Sequence, residues 1–151
     1  MMSVLNVRPD IIVGFPGETE EQFGETISLV QEAGFDDAYT FAYSVRDGTP
    51  AVKLPGHISP EVASERLGRL IEVVRTQVRG RNILRVGTVH EILVERPARR
   101  GDLLLARTRG NHLVLVDLPV SAIGEYHTVR LTGTTGSTFT GAVVAPQLAL
   151  L

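Results

Sequence analysis

Asp10-Ile-Ile-Val-Gly-Phe-Pro-Gly-Glu-Thr19 runs from an apolar segment into a tight glycine–proline turn, and a helix pattern starts at its last residue. Four apolar side chains within positions 11–15 suit a strand covered on both faces, as in a parallel sheet. Gly14 and Gly17 let backbone approach something closely, and Pro16 stiffens the turn between them. Thr19 with Gln22 three residues on has the form of a capping box, which predicts a helix over 19–33. Phe23, Ile27 and Val30 recur at helical spacing and form its inner face, while Glu20, Glu21, Glu25 and Glu32 point outward. Gly34 is placed to end the helix. Residues 38–44 then read as a second strand. Strand, helix and strand with short joints form a βαβ unit, so the two strands are expected to be parallel neighbours. The fold class is therefore α/β at the start of the chain.

In such units, ligands sit where strands end and helices begin. The loops at 14–18 and 44–51 follow adjacent parallel strands and open onto one rim. Their backbone amides, with Ser44 and Arg46, suit a carboxylate or the polar edge of a nucleotide-like cofactor. The competing reading is two well-formed turns with Arg46 salt-bridged locally.

A chain of 151 residues holds one ordinary domain or two small ones. No apolar run reaches membrane-spanning length and the N-terminus lacks a signal-peptide pattern, so no membrane partner and a cytoplasmic location are expected. Cysteine is absent. That removes disulfides, thiolate nucleophiles, zinc–cysteine sites and cysteine-held iron–sulfur clusters from this chain. The net charge of −2 hides an asymmetry: residues 1–58 sum to −6, while residues 59–82 and 83–151 each sum to +2. The second half is thus the more tolerant of phosphate. His57, His90, His112 and His127 lack metal-ligand spacing, and no complete catalytic constellation appears.

Ser59-Pro60-Glu61 is a helix start: cap, proline at the first position, acid in the first turn. The helix is predicted over 59–82, with Leu67, Leu70, Ile71, Val74 and Val78 on one face. Arg66, Arg69, Arg75 and Arg79 fall on the other and read as solvated. From Val86 the period changes. Strands are predicted at 88–95, 102–109, 112–117, 126–132 and 139–144, separated by glycine- and proline-rich turns. Five strands in about sixty residues point to a small antiparallel β-barrel of oligonucleotide-binding size. The expected organisation is 1–58, a linking helix at 59–82, a barrel at 83–146 and an apolar tail at 147–151. A hairpin at 105–112 gathers Arg107, Arg109, Asn111 and His112 near one tip, a set suited to phosphate and base contacts. The rival reading is a bare type I′ turn with solvated neighbours.

Three ordered motifs carry a resemblance: Asp10–Thr19, Phe41-Ala-Tyr-Ser-Val-Arg-Asp-Gly-Thr-Pro-Ala51, and Ala106-Arg-Thr-Arg-Gly-Asn111. Their order and spacing over residues 9–145 are similar to those of the radical-SAM methylthiotransferases, most of all the tRNA 2-methylthio-N6-dimethylallyladenosine synthases. The resemblance implies that residues 9–58 are the last strands of a radical-SAM partial (β/α) barrel, and that the later strands form a TRAM domain, a small RNA-binding β-barrel. It implies an intact enzyme that adds a methylthio group to an isopentenyl-modified adenosine beside the tRNA anticodon, using S-adenosylmethionine and two four-iron, four-sulfur clusters. Gly14, Gly17, Glu18, Ser44 and Arg46 would then border the S-adenosylmethionine pocket. Arg107, Thr108 and Asn111 match the TRAM motif and would face RNA; Arg109 and His112 join them from the hairpin reading. The cluster cysteines are missing and Ala106 stands where the family usually has Gly.

This chain alone is accordingly expected to be inactive, to bind neither cofactor stably and to retain tRNA binding. The anticodon stem-loop and the enzyme's own N-terminal domains are the expected partners. An unpaired barrel edge in residues 1–58 invites self-association. Three alternatives remain open on sequence: an independent RNA-binding module, a methylthiotransferase of the threonylcarbamoyl-adenosine or ribosomal-protein branch, and a barrel used mainly for protein docking.

Overall fold

Thr19 ends the opening turn in extended geometry, and its capping box is complete. Its Oγ1 accepts from the Gln22 amide at 3.1 Å, and the Gln22 Oε1 accepts from the Thr19 amide at 3.0 Å. These bonds satisfy two of the amides that a helix start leaves orphaned. Helix α1 (Glu20–Ala33) follows, closed by Gly34 in the left-handed region at φ 61°, whose amide donates to the Val30 carbonyl. The computed structural model describes residues 8–145, so the residues before Arg8 and the apolar tail read at 147–151 lie outside the described residues. The described residues fall into two compact units, dividing between Val78 and Arg79.

In the first unit, β1 (Asp10–Val13) and β2 (Tyr39–Ala42) pair in parallel, with Ile12 beside Phe41 and Val13 beside Ala42. The second strand is shorter than the residues 38–44 read from sequence, because the chain after Tyr43 turns out into an exposed loop. Ile11 and Val13 face the core with Phe23, Ile27, Val30, Leu70 and Val74. Strand alternation sends the other side chains the opposite way. Ile12, Tyr39 and Phe41 are 55%, 54% and 50% exposed. The expectation of a strand covered on both faces is therefore corrected: within the described residues only the helical side is covered.

Helix α2 (Pro60–Arg85) begins at the Ser59 cap, whose Oγ accepts from the Val62 amide, and extends three residues past the end read at 82. Leu70 and Val74 are buried on its inner face as its stripe requires. Arg66 corrects the sequence reading. It is not solvated but buried, because its guanidinium turns back onto Glu18.

The second unit is a closed barrel of five strands: β3 (Val89–Pro97), β4 (Leu104–Thr108), β5 (Leu113–Val116), β6 (Tyr126–Thr134) and β7 (Thr138–Val143). They run around the ring in the order β3-β4-β5-β7-β6, and β6 pairs back with β3. Every neighbouring pair is antiparallel except β5 and β7, which are parallel. The expected antiparallel barrel is thus a mixed one. The reason is parity: directions cannot alternate all the way around a closed ring with an odd number of strands. Alternate side chains, among them Ile92, Val94, Leu104, Val114, Val129 and Phe139, fill the interior. Register shifts at Val94/Arg96 and Leu131/Gly133 bend β3 and β6 to help close the ring.

Candidate functional site

The rim of the first unit is built by its own chain. Gly14 has φ +77°, and a Cβ there would stand 2.8 Å from the Ala63 Cβ on α2. Gly17 has φ +85° and donates its amide to the Gly56 carbonyl at 2.8 Å. Gly14 therefore lets α2 approach, and in the loop before α2 it is Gly56 whose missing side chain matters, since a Cβ there would stand 3.3 Å from the Gly17 backbone. Glu18 is equally committed: its Oε1 accepts from the Gly14 amide at 2.9 Å and from Arg66 Nη1 at 2.8 Å. Arg66 Nη1 also donates to the Glu18 carbonyl at 3.0 Å. Beside this pair, Arg69 lies 4.8 Å from the Phe23 ring centroid and bonds Glu20, which holds that carboxyl below its usual range.

Ser44 and Arg46 both lie exposed on the second loop. The Arg46 carbonyl accepts from the Thr49 amide and hydroxyl at 3.2 and 2.8 Å. Its guanidinium makes no ion pair among the described residues, so the local salt bridge of the competing reading is not present. A four-iron cluster does not fit this chain, which has no thiolate to hold it. For S-adenosylmethionine, Gly14, Gly17 and Glu18 are spent on internal bonds. These five rim residues alone make no cradle.

The hairpin between β4 and β5 has a different geometry from the two-residue turn considered above. Asn111 alone takes a positive φ, 66°; its amide donates to the Thr108 carbonyl, and the Thr108 amide to the His112 carbonyl, both at 2.9 Å. A type I′ turn needs two such residues, so this is a three-residue connection with Asn in the left-handed position. Asn tolerates that conformation better than most side chains.

Strand alternation then sorts the five candidates. Thr108 points inward, is buried, and accepts the His112 amide on Oγ1 at 3.1 Å. The half-buried His112 ring packs edge-on to Phe139 at 5.9 Å. Arg107, Arg109 and Asn111 share the outer side. Arg107 Nε donates to both Glu95 oxygens, at 3.1 and 3.2 Å, and its Nη1 donates to Asn111 Oδ1 at 2.6 Å. Arg109, 86% exposed, bonds Glu91 Oε1 through Nε and Nη2 at 3.1 and 2.8 Å. The hydrogen bond to that carboxylate pushes the Arg109 pKa above its ordinary value. The hairpin tip therefore presents two oriented, charge-balanced guanidiniums rather than a bare turn.

No family model matches the chain. Curated proteins do match it. A tRNA-2-methylthio-N(6)-dimethylallyladenosine synthase of Geobacillus kaustophilus is 46% identical over 136 residues, 89% of this chain and 26% of that protein. The synthases of Alkaliphilus oremlandii and Symbiobacterium thermophilum are 44% and 43% identical, over 84% and 95% of this chain. By homology the chain belongs to this tRNA methylthiotransferase family. It spans less than a third of the length of these relatives, 27% and 31% of the latter two, and corresponds to their C-terminal part.

In this methylthiotransferase relative, reading the sequence missed four outer-face residues of the barrel: Glu91, Leu93, Glu95 and Tyr126. The register places Arg107, Leu93 and Tyr126 side by side on β4, β3 and β6. With both Arg–Glu pairs they line a depression of about 210 Å³. Glu91, Leu93 and Glu95 alternate along one strand, a pattern that marks one face. That face could be joined to Arg107 and Tyr126 only with the register known.

Proposed function

We propose that this chain is the C-terminal portion of a tRNA methylthiotransferase and that its five-stranded barrel, residues 83–146, is a TRAM domain that grips tRNA. Residues 1–58 belong to the radical-SAM barrel of the whole enzyme, and residues 59–82 link the two. S-adenosylmethionine and the iron–sulfur clusters are held mainly by parts of the enzyme outside this chain, which supply the radical chemistry; Ser44 and Arg46 border that site. The enzyme works in the cytoplasm on an isopentenyl-modified adenosine beside the anticodon.

The observation that carries this reading is identity of 43% across 95% of the chain to a synthase acting, by its name, on tRNA. The barrel's surface chemistry supports it. Arg107 and Arg109 lie on one outer side, and Arg130 is exposed on the same face, its Nη1 donating to the Gly87 carbonyl. Arg96, near the end of β3, and Arg99 and Arg100, in the turn from β3 to β4, are exposed and make no ion pair among the described residues. They are the guanidiniums most available to phosphate, whereas Arg107 and Arg109 arrive already oriented by carboxylates.

The test is binding of an anticodon stem-loop RNA to the whole chain across a salt series. Affinity should fall linearly on a log–log scale with salt, as counterion release requires. Arg99→Ala with Arg100→Ala should reduce that slope by about 1 for each phosphate that the two side chains engage. Binding that is absent at low salt, or a slope unchanged in the double variant, would defeat the proposal.

A further inference from the structure

The depression on the outer face of the barrel is not a phosphate site. Its two guanidiniums are matched by two carboxylates, Arg107 with Glu95 and Arg109 with Glu91, so it offers an anion little net attraction. It offers instead an aromatic ring and an apolar floor, bordered by fixed donors and acceptors. Tyr126 is 67% exposed, so its ring is open to a stacking partner, with its polar tip left in water. It opens β6, directly across from Leu93, which in turn lies across from Arg107. A cavity of about 210 Å³ has room for several waters or for one flat heterocycle.

We infer that this depression is a base-binding slot: Tyr126 stacks one unpaired nucleobase of the bound RNA, and Glu91 and Glu95 accept from its exocyclic amino group. The inference rests on the proposal that the barrel binds RNA, and it adds which surface reads a base and which bases it takes. Carboxylates only accept hydrogen bonds; adenine, cytosine and guanine each offer an exocyclic amino group, whereas uracil offers only its ring N3–H, so the slot favours the first three. The uncompensated arginines at 96, 99 and 100 are placed to hold backbone, and the slot to hold a base. A duplex, whose bases are stacked on each other, cannot fill it.

The experiment compares wild type, Tyr126→Ala and Tyr126→Phe for binding to oligo(A), oligo(U) and a duplex of similar charge. Tyr126 is exposed, so both variants should keep the wild-type circular dichroism and melting temperature. Tyr126→Ala should weaken oligo(A) binding about tenfold, the size of one base–aromatic stack, and leave duplex binding unchanged. Tyr126→Phe should bind oligo(A) within about twofold of wild type, since the ring is kept. Wild type should prefer oligo(A) to oligo(U). An oligo(A) affinity unchanged in Tyr126→Ala, or an equal loss on the duplex, overturns the slot. If Arg99→Ala with Arg100→Ala still weakens binding in that case, RNA binding stands without it. If wild type binds no oligonucleotide at all, the slot and the RNA-binding reading fail together.

Discussion

Arg66 shows how much one side chain can hold. A buried guanidinium and its carboxylate lose several kcal/mol of hydration each, which is recovered only by close geometry and by bonding the remaining groups. Glu18 meets most of that requirement by taking Arg66 on one oxygen together with the Gly14 amide, while Arg66 also reaches the Glu18 carbonyl; the buried Arg66 Nε makes no hydrogen bond and lies 3.3 Å from Glu20 Oε2. The pair thus clamps the turn after β1 to α2. Removing the cation strands a carboxylate whose side chain is only 12% exposed. Arg66→Met should therefore cost the first unit about 3 kcal/mol, and adding Glu18→Gln should restore part of it. Urea denaturation of the single and double variants checks this; a loss below about 1 kcal/mol in Arg66→Met would contradict the clamp. Sequence spacing correctly gave the helix and its apolar stripe but put Arg66 in solvent. Its partner lies 48 residues away, and no local pattern reports an interaction of that range.

At the scale of elements, local chemistry was the readable part. Thr19 with Gln22, Gly34 and Ser59-Pro60 marked helix ends because caps are short-range bonds, and period-2 alternation located all five barrel strands to within a few residues. The pairing of β5 with β7 was not readable from the alternation of either strand. Closure alone demanded one parallel pair; which strands supplied it depends on β7 entering between β5 and β6. Gly141 makes that insertion possible. It pairs with Val116 on one side and Leu131 on the other, and a Cβ there would sit 2.9 Å from Val114 Cγ1 and 3.3 Å from the Val129 Cβ. Both valines are fully buried. Gly141→Ala should thus destabilise the barrel by about 1–3 kcal/mol through overpacking, read as a lower urea midpoint. An unchanged midpoint would mean the barrel yields at β7 at no cost.

At the scale of the molecule, the two cores share no residue: one is built on Val13, Phe23, Val30, Leu70 and Val74, the other on the barrel interior. Helix α2 crosses between the units without a break. Its early turns carry Leu70 and Val74 into the first core, and Gln77 reaches the Gln31 carbonyl at 3.2 Å. Its last turns belong to the barrel, where the buried Asn82 donates to the Gly136 carbonyl at 2.7 Å and accepts from Arg85. Two cores with separate anchoring should open as separate cooperative units, so a single unfolding free energy would not describe the chain. Hydrogen exchange followed by mass spectrometry on peptides makes this visible. Arg66→Met should speed exchange in residues 10–78 and leave 88–143 protected; Gly141→Ala should do the reverse. Within α2 the change of behaviour should fall near Val78, with residues 60–78 following the first variant and 79–85 the second. Loss of protection over all of α2 in both variants would show that the helix fuses the two cores into one cooperative body.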